Sequence, residues 1–71
     1  MRIEWTPAAV ASARRHMSDQ DGMRAIGAAV AGLADDPYPP PPAGFHRGRY
    51  HRLRTGVYRI MYVLDEDVIT I

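Results

Sequence analysis

Between positions 46 and 59 the chain gathers His46, Arg47, Arg49, His51, Arg52, Arg54 and Arg59, all side chains able to engage a phosphate. Arginine presents a planar fork of donors that matches phosphate oxygens in pairs. Its pKa exceeds about 12, so it anchors charge well and accepts protons poorly. A proton acceptor or donor for catalysis must therefore come from another group, and His46, Tyr50 and His51 are the candidates nearby. The set stands out because of its surroundings. Residues 37–64 hold five arginines and no acid, whereas residues 1–36 set Arg2, Arg14, Arg15 and Arg24 against Glu4, Asp19, Asp21, Asp35 and Asp36. A net charge of only +1 hides this asymmetry. A cationic patch of this kind is the footprint expected for a polyanionic partner.

The elements that must position these residues are strands. After Gly48 the apolar period becomes two, so residues 49–54 and 57–64 read as a hairpin around a Thr55-Gly56 loop. That loop places Arg54 opposite Val57, Leu53 opposite Tyr58, Arg52 opposite Arg59, His51 opposite Ile60 and Tyr50 opposite Met61. Alternation then sorts Leu53, Tyr58, Ile60, Tyr62 and Leu64 onto an apolar face. His51 falls on that side, which makes it a packed residue before it is a base. Arg52, Arg54, Arg59 and Tyr50 share the other face. Like charges opposed on a sheet destabilise it, so a ligand phosphate is the simplest reason for Arg52 to oppose Arg59. His46 lies in the expected loop before the sheet, as a candidate acid or base.

Upstream, residues 2–5 alternate polar and apolar as a short strand, and Thr6-Pro7 supplies an N-cap and a first-turn proline. A helix to about His16 follows. Met23, Ile26, Val30 and Leu33 recur at helical spacing and define a second helix, which must end at Asp35-Asp36-Pro37. The four prolines at 39–42 impose an extended connection. A last strand begins at Val68, after the acidic turn Asp65-Glu66-Asp67. The predicted order is β-α-α-β-β-β, an α+β fold with an antiparallel sheet and a helical hairpin packed on one face.

At 71 residues the chain makes one small domain, and a domain of this size buries only about 60% of its unfolded surface. It has no cysteine, so neither disulfides nor a thiolate metal site reinforce the core. The histidines are scattered and lack carboxylates at ligand spacing, so no metal or other cofactor is expected. The N-terminus shows no signal-like apolar run, and a cytoplasmic protein is the default expectation.

The run from Tyr50 to Tyr62, with Arg52, Arg54, Tyr58 and Arg59 inside it, resembles the central hairpin of the RelE/ParE-like toxins of type II toxin-antitoxin systems. The preceding strand, two helices, proline-containing turn and Arg47-Gly48 step are similar to the plan of that family over essentially the whole chain. The resemblance implies a RelE-like fold and an endoribonuclease, an mRNA interferase of the hydrolase class, that blocks translation by cutting messenger RNA on the ribosome without a metal. It implies a cognate antitoxin as partner, and operator DNA bound only as the toxin-antitoxin complex. Carried over by position, Arg52 and Arg59 are catalytic, while Arg47, Arg49, Tyr50 and Arg54 hold RNA. Tyr50 stands where lysine is often found. The family continues its last strand past 68–71 with a further basic residue and a tyrosine, so the chain is expected to lack that C-terminal segment. The alternative is a non-catalytic homologue, or a binding protein of the gyrase-inhibiting ParE type.

Overall fold

Thr6 and Asp19 start the two helices. In the computed structural model, which describes residues 1–71, Thr6 Oγ1 accepts the Ala9 N–H at 3.1 Å and Asp19 Oδ1 accepts the Gly22 N–H at 3.0 Å. Helix α1 spans Pro7–Arg14 and α2 spans Gln20–Leu33. The two contribute unequally: α2 buries Val30 and Leu33, whereas α1 buries no residue fully. The chain leaves α2 through an Asp36 side chain that accepts the Tyr38 N–H at 3.0 Å. It then enters the proline tract.

Five strands form one sheet: β1 Arg2–Glu4, β2 Gly44–Arg47, β3 Tyr50–Thr55, β4 Tyr58–Asp65 and β5 Val68–Thr70, in the spatial order β1-β5-β4-β3-β2. The α+β class is as expected, but the sheet differs from the expectation in two ways. It is mixed, because β1 pairs parallel with β5. It has an additional strand, β2, where a loop was expected. Gly48 turns back with a φ of +60°, so residues 44–47 pair antiparallel with residues 50–53. Strand β5 lies between β1 and β4, and Ile69 is fully buried there.

The β3–β4 register also departs from the expected one. Thr55 pairs with Tyr58, Arg54 with Arg59, Leu53 with Ile60 and Arg52 with Met61. The loop is Gly56-Val57, because the left-handed position at its start, φ +59°, falls on the glycine. Moving the loop by one residue shifts every partner by two, so each side chain keeps its expected face.

Because β1 and β2 occupy opposite edges, the segment joining them crosses one face of the sheet, and α2 packs there. Val30 and Leu33 meet Leu53, Ile60, Tyr62 and Ile69 in a core of six buried apolar residues. Two tyrosines of β4 fasten the ends of α2 to this face. The Tyr58 hydroxyl donates to Asp19 Oδ2 at 2.6 Å, at the helix start, and the Tyr62 hydroxyl donates to the Pro37 carbonyl at 2.8 Å, beyond its end. Gly44 is required at the start of β2, since a Cβ there would clash with the Pro39 carbonyl oxygen.

Candidate functional site

The face away from α2 carries the odd-numbered residues of β2, the even-numbered residues of β3 and the odd-numbered residues of β4. Phe45, Arg52 and Met61 form one row across three strands, Arg47, Tyr50 and Val63 the next, and Arg54 opposes Arg59 in a third. Arg47, Tyr50, Arg52, Arg54 and Arg59 therefore come together on one surface. Arg49 stands beside them in the β2–β3 loop, its guanidinium 5.8 Å from the Tyr50 ring centroid. The expected direct opposition of Arg52 and Arg59 is replaced by a diagonal one, and the like-charge pair is Arg54–Arg59.

None of these arginines has an acidic partner. The two ion pairs in the molecule are Arg2–Glu4 and Arg24–Asp21. Arg52 is the most enclosed member of the set. Its guanidinium carbon sits 5.0 Å from the Phe45 ring centroid, and its Nε is buried without a hydrogen-bond partner. A cavity of about 540 Å³ opens here, lined by Phe45, Arg47, Gly48, Tyr50, His51, Arg52 and Met61. Towards β5 and β1 the same face changes character, because Arg2 is neutralised by Glu4 at 3.1 Å and Val68 and Thr70 follow.

The histidines stand on the opposite side. His46 pairs with His51 across β2 and β3, their ring centroids are 5.4 Å apart, and His51 stacks on Tyr62 at 5.0 Å. Tyr38, from the proline segment, closes this layer 5.7 Å from His51. Burial, helped by the nearby His46, pushes the His51 pKa below its ordinary value. His51 thus takes the packed position expected for it, and His46 belongs to β2 rather than to a loop. Neither ring shares the arginine face, where Tyr50 carries the one hydroxyl among the β2, β3 and β4 side chains of the cationic half.

Sequence reasoning did not single out Phe45. The signal was available in Gly48-Arg49, a two-residue link whose first position is glycine, which marks a hairpin and so puts Phe45 in line with Arg52. No three His, Cys, Asp or Glu side chains converge to hold a metal ion. No helix is long and apolar enough to cross a membrane. Comparisons with protein-family models, curated proteins and solved structures find no match.

Chemically, this surface can collect a chain of phosphates and can stabilise negative charge that builds up on a phosphoryl group. Preorganised donors of this kind contribute about 2.7–4 kcal/mol each where they have been removed from active sites.

Proposed function

We propose that the chain is a RelE/ParE-like toxin of a type II toxin-antitoxin system, a cytoplasmic endoribonuclease that cuts messenger RNA on the ribosome, uses no metal and is neutralised by a cognate antitoxin. The observation that carries this reading is the gathering of Arg47, Arg52, Arg54 and Arg59 on one face without an acidic partner. An arrangement that places Arg54 directly opposite Arg59 is unfavourable in isolation and becomes favourable with a polyanion over it. The order of one strand, two helices and an antiparallel hairpin is the order the family resemblance implies, and it supports a RelE-like fold.

In the reaction, a ribose 2′-oxygen attacks the adjacent phosphorus and the 5′-oxygen leaves, giving a 2′,3′-cyclic phosphate and a free 5′-hydroxyl. The proton of the 2′-hydroxyl must be removed and one delivered to the leaving oxygen. Arg52 and Arg59 stabilise the phosphoryl oxygens, Arg47, Arg49 and Arg54 hold neighbouring phosphates, and Tyr50 is the proton-exchanging group on that face. The position of His46 and His51 behind the sheet favours a second reading, in which the same face binds and does not cut, as in a non-catalytic homologue or a gyrase inhibitor.

Cell-free translation with a primer-extension readout separates the two. The RNase reading expects discrete cleavage within ribosome-occupied codons, with the 5′-hydroxyl end on the downstream fragment. Intact message together with inhibited DNA supercoiling would replace it with the gyrase reading.

A further inference from the structure

Phe45 is 54% exposed, Tyr50 58% and Met61 55%, in a protein whose core holds only six buried apolar residues. These exposed groups are not scattered. Phe45 and Tyr50 are diagonal neighbours across β2 and β3, and Met61 ends the Phe45–Arg52–Met61 row. Arg52 rests against the Phe45 ring at 5.0 Å, within the range of a cation–π contact, while Phe45 stays more than half exposed. The buried Arg52 Nε has no hydrogen-bond partner within the protein. Arginines 47, 49, 54 and 59 surround the group, and no acid stands among them.

We propose that Phe45 and Tyr50 form a nucleobase-stacking site, so that the open face takes single-stranded RNA with a base on Phe45 while Arg47, Arg52 and Arg54 hold the flanking phosphates. The inference rests on the reading of this face as RNA-binding and adds what that reading lacks, a contact to something other than phosphate. A strand surface that displays aromatic rings suits unpaired bases, whose π-faces a duplex conceals. A protein partner of purely acidic character would use the arginines and leave Phe45 and Tyr50 without a role. The cation–π contact has a second consequence: Arg52 holds the ring in place, so a base meets a platform that is already ordered.

The test uses the full chain and two probes of equal length and charge, an unstructured oligoadenylate RNA and an abasic ribose-phosphate oligomer. The wild-type protein is expected to prefer the base-bearing probe by about fivefold to a hundredfold, the range that stacking on one aromatic side chain supports. Phe45→Leu, which keeps an apolar side chain of similar size, is expected to bring the two affinities together, and Phe45→Trp to restore the preference. Arg54→Gln should weaken both probes alike. Circular dichroism of each variant checks that the sheet is retained. Equal affinity of wild type for both probes, or an undiminished preference in Phe45→Leu, would overturn the stacking site while leaving an RNA-binding face. Binding of neither probe would overturn both and leave the face to a protein partner.

Discussion

One stretch of sequence, Tyr50 to Tyr62, builds both the most finished and the least finished surfaces of this molecule. Its residues alternate between the two sides of the sheet, so His51, Leu53, Ile60 and Tyr62 are buried under α2 and the proline segment, while Tyr50, Arg54, Arg59 and Met61 stay exposed. On the helix side, polar atoms find partners: the hydroxyls of Tyr58 and Tyr62 each close a hydrogen bond. On the open side the arginines have none, and Arg52 keeps a buried nitrogen unpaired. One face satisfies its polar atoms within the chain, and the other leaves its arginines without an acidic partner.

The largest expected effect breaks the finished face. Ile69→Ala should destabilise the protein by about 2–5 kcal/mol, since it empties a fully buried site between β1 and β4. That is a large part of the roughly 5–15 kcal/mol that holds a typical domain folded. The matching change on the open face, Met61→Ala, should alter stability by less than about 0.5 kcal/mol. Urea denaturation of both variants checks the difference, and comparable losses would erase the distinction between the faces.

Arg59→Ala comes next. It should abolish growth arrest in cells, yet leave stability unchanged or raised by about 0.2–1 kcal/mol, because the like-charge opposition to Arg54 disappears. Growth curves on induction and a thermal melt of the purified variant give the two readouts. A variant that is unstable and non-toxic would reduce Arg59 to a structural residue.

The pH dependence of stability should follow the aromatic layer on the finished face. Burial first, and then the charge of His46, lower the His51 pKa, so the folded state favours the neutral ring. The unfolded chain binds a proton near the ordinary histidine value of about 6.5. Stability is therefore full above that value and declines as pH falls below it towards the depressed folded pKa. Asp19 acts in a lower window. The Tyr58 hydroxyl, and then the Gly22 N–H, hold its carboxyl below the usual range, so its contribution is lost only in stronger acid. Denaturation midpoints between roughly pH 5 and 7 should accordingly flatten in His51→Phe. An unchanged slope would place the proton uptake elsewhere.

A smaller effect concerns the turn between β4 and β5. Glu66 adopts a φ of 54°, a left-handed conformation that costs an ordinary residue roughly 1–2 kcal/mol. Glu66→Gly should raise stability by about 0.5–1 kcal/mol once the greater flexibility of glycine in the unfolded chain is included. A loss of stability would mean that the Glu66 side chain does more than occupy the turn.

The sorting of the faces was legible in the sequence because period two survives an error in the loop. Placing the turn at Thr55-Gly56 instead of Gly56-Val57 moved the partner of Arg52 from Met61 to Arg59, yet kept both arginines on the open side. Helix α2 was legible through Met23, Ile26, Val30 and Leu33, and its end through Pro37. Strand β2 was not, since Gly44-Phe45-His46-Arg47 has no alternation of its own and becomes a strand through pairing with β3. The parallel pairing of Ile3 with Ile69 joins the two ends of the chain, a contact that no local pattern encodes. The position of His46 depended on β2, so its side of the sheet was hidden with it.

The central claim, that the open face of β2, β3 and β4 is the RNA-engaging surface, is tested most directly by the salt dependence of binding to a short single-stranded RNA. Each phosphate neutralised on a single strand contributes about −0.7 to the slope of log affinity against log salt. With Arg47, Arg52, Arg54 and Arg59 engaged, the wild-type slope should lie near −3, and Arg47→Gln, Arg54→Gln or Arg59→Gln should each reduce it by roughly 0.7. Arg14→Gln and Arg15→Gln, at the end of α1, should leave it unchanged. A flat salt response, or equal losses from the α1 arginines and the sheet arginines, would contradict the account.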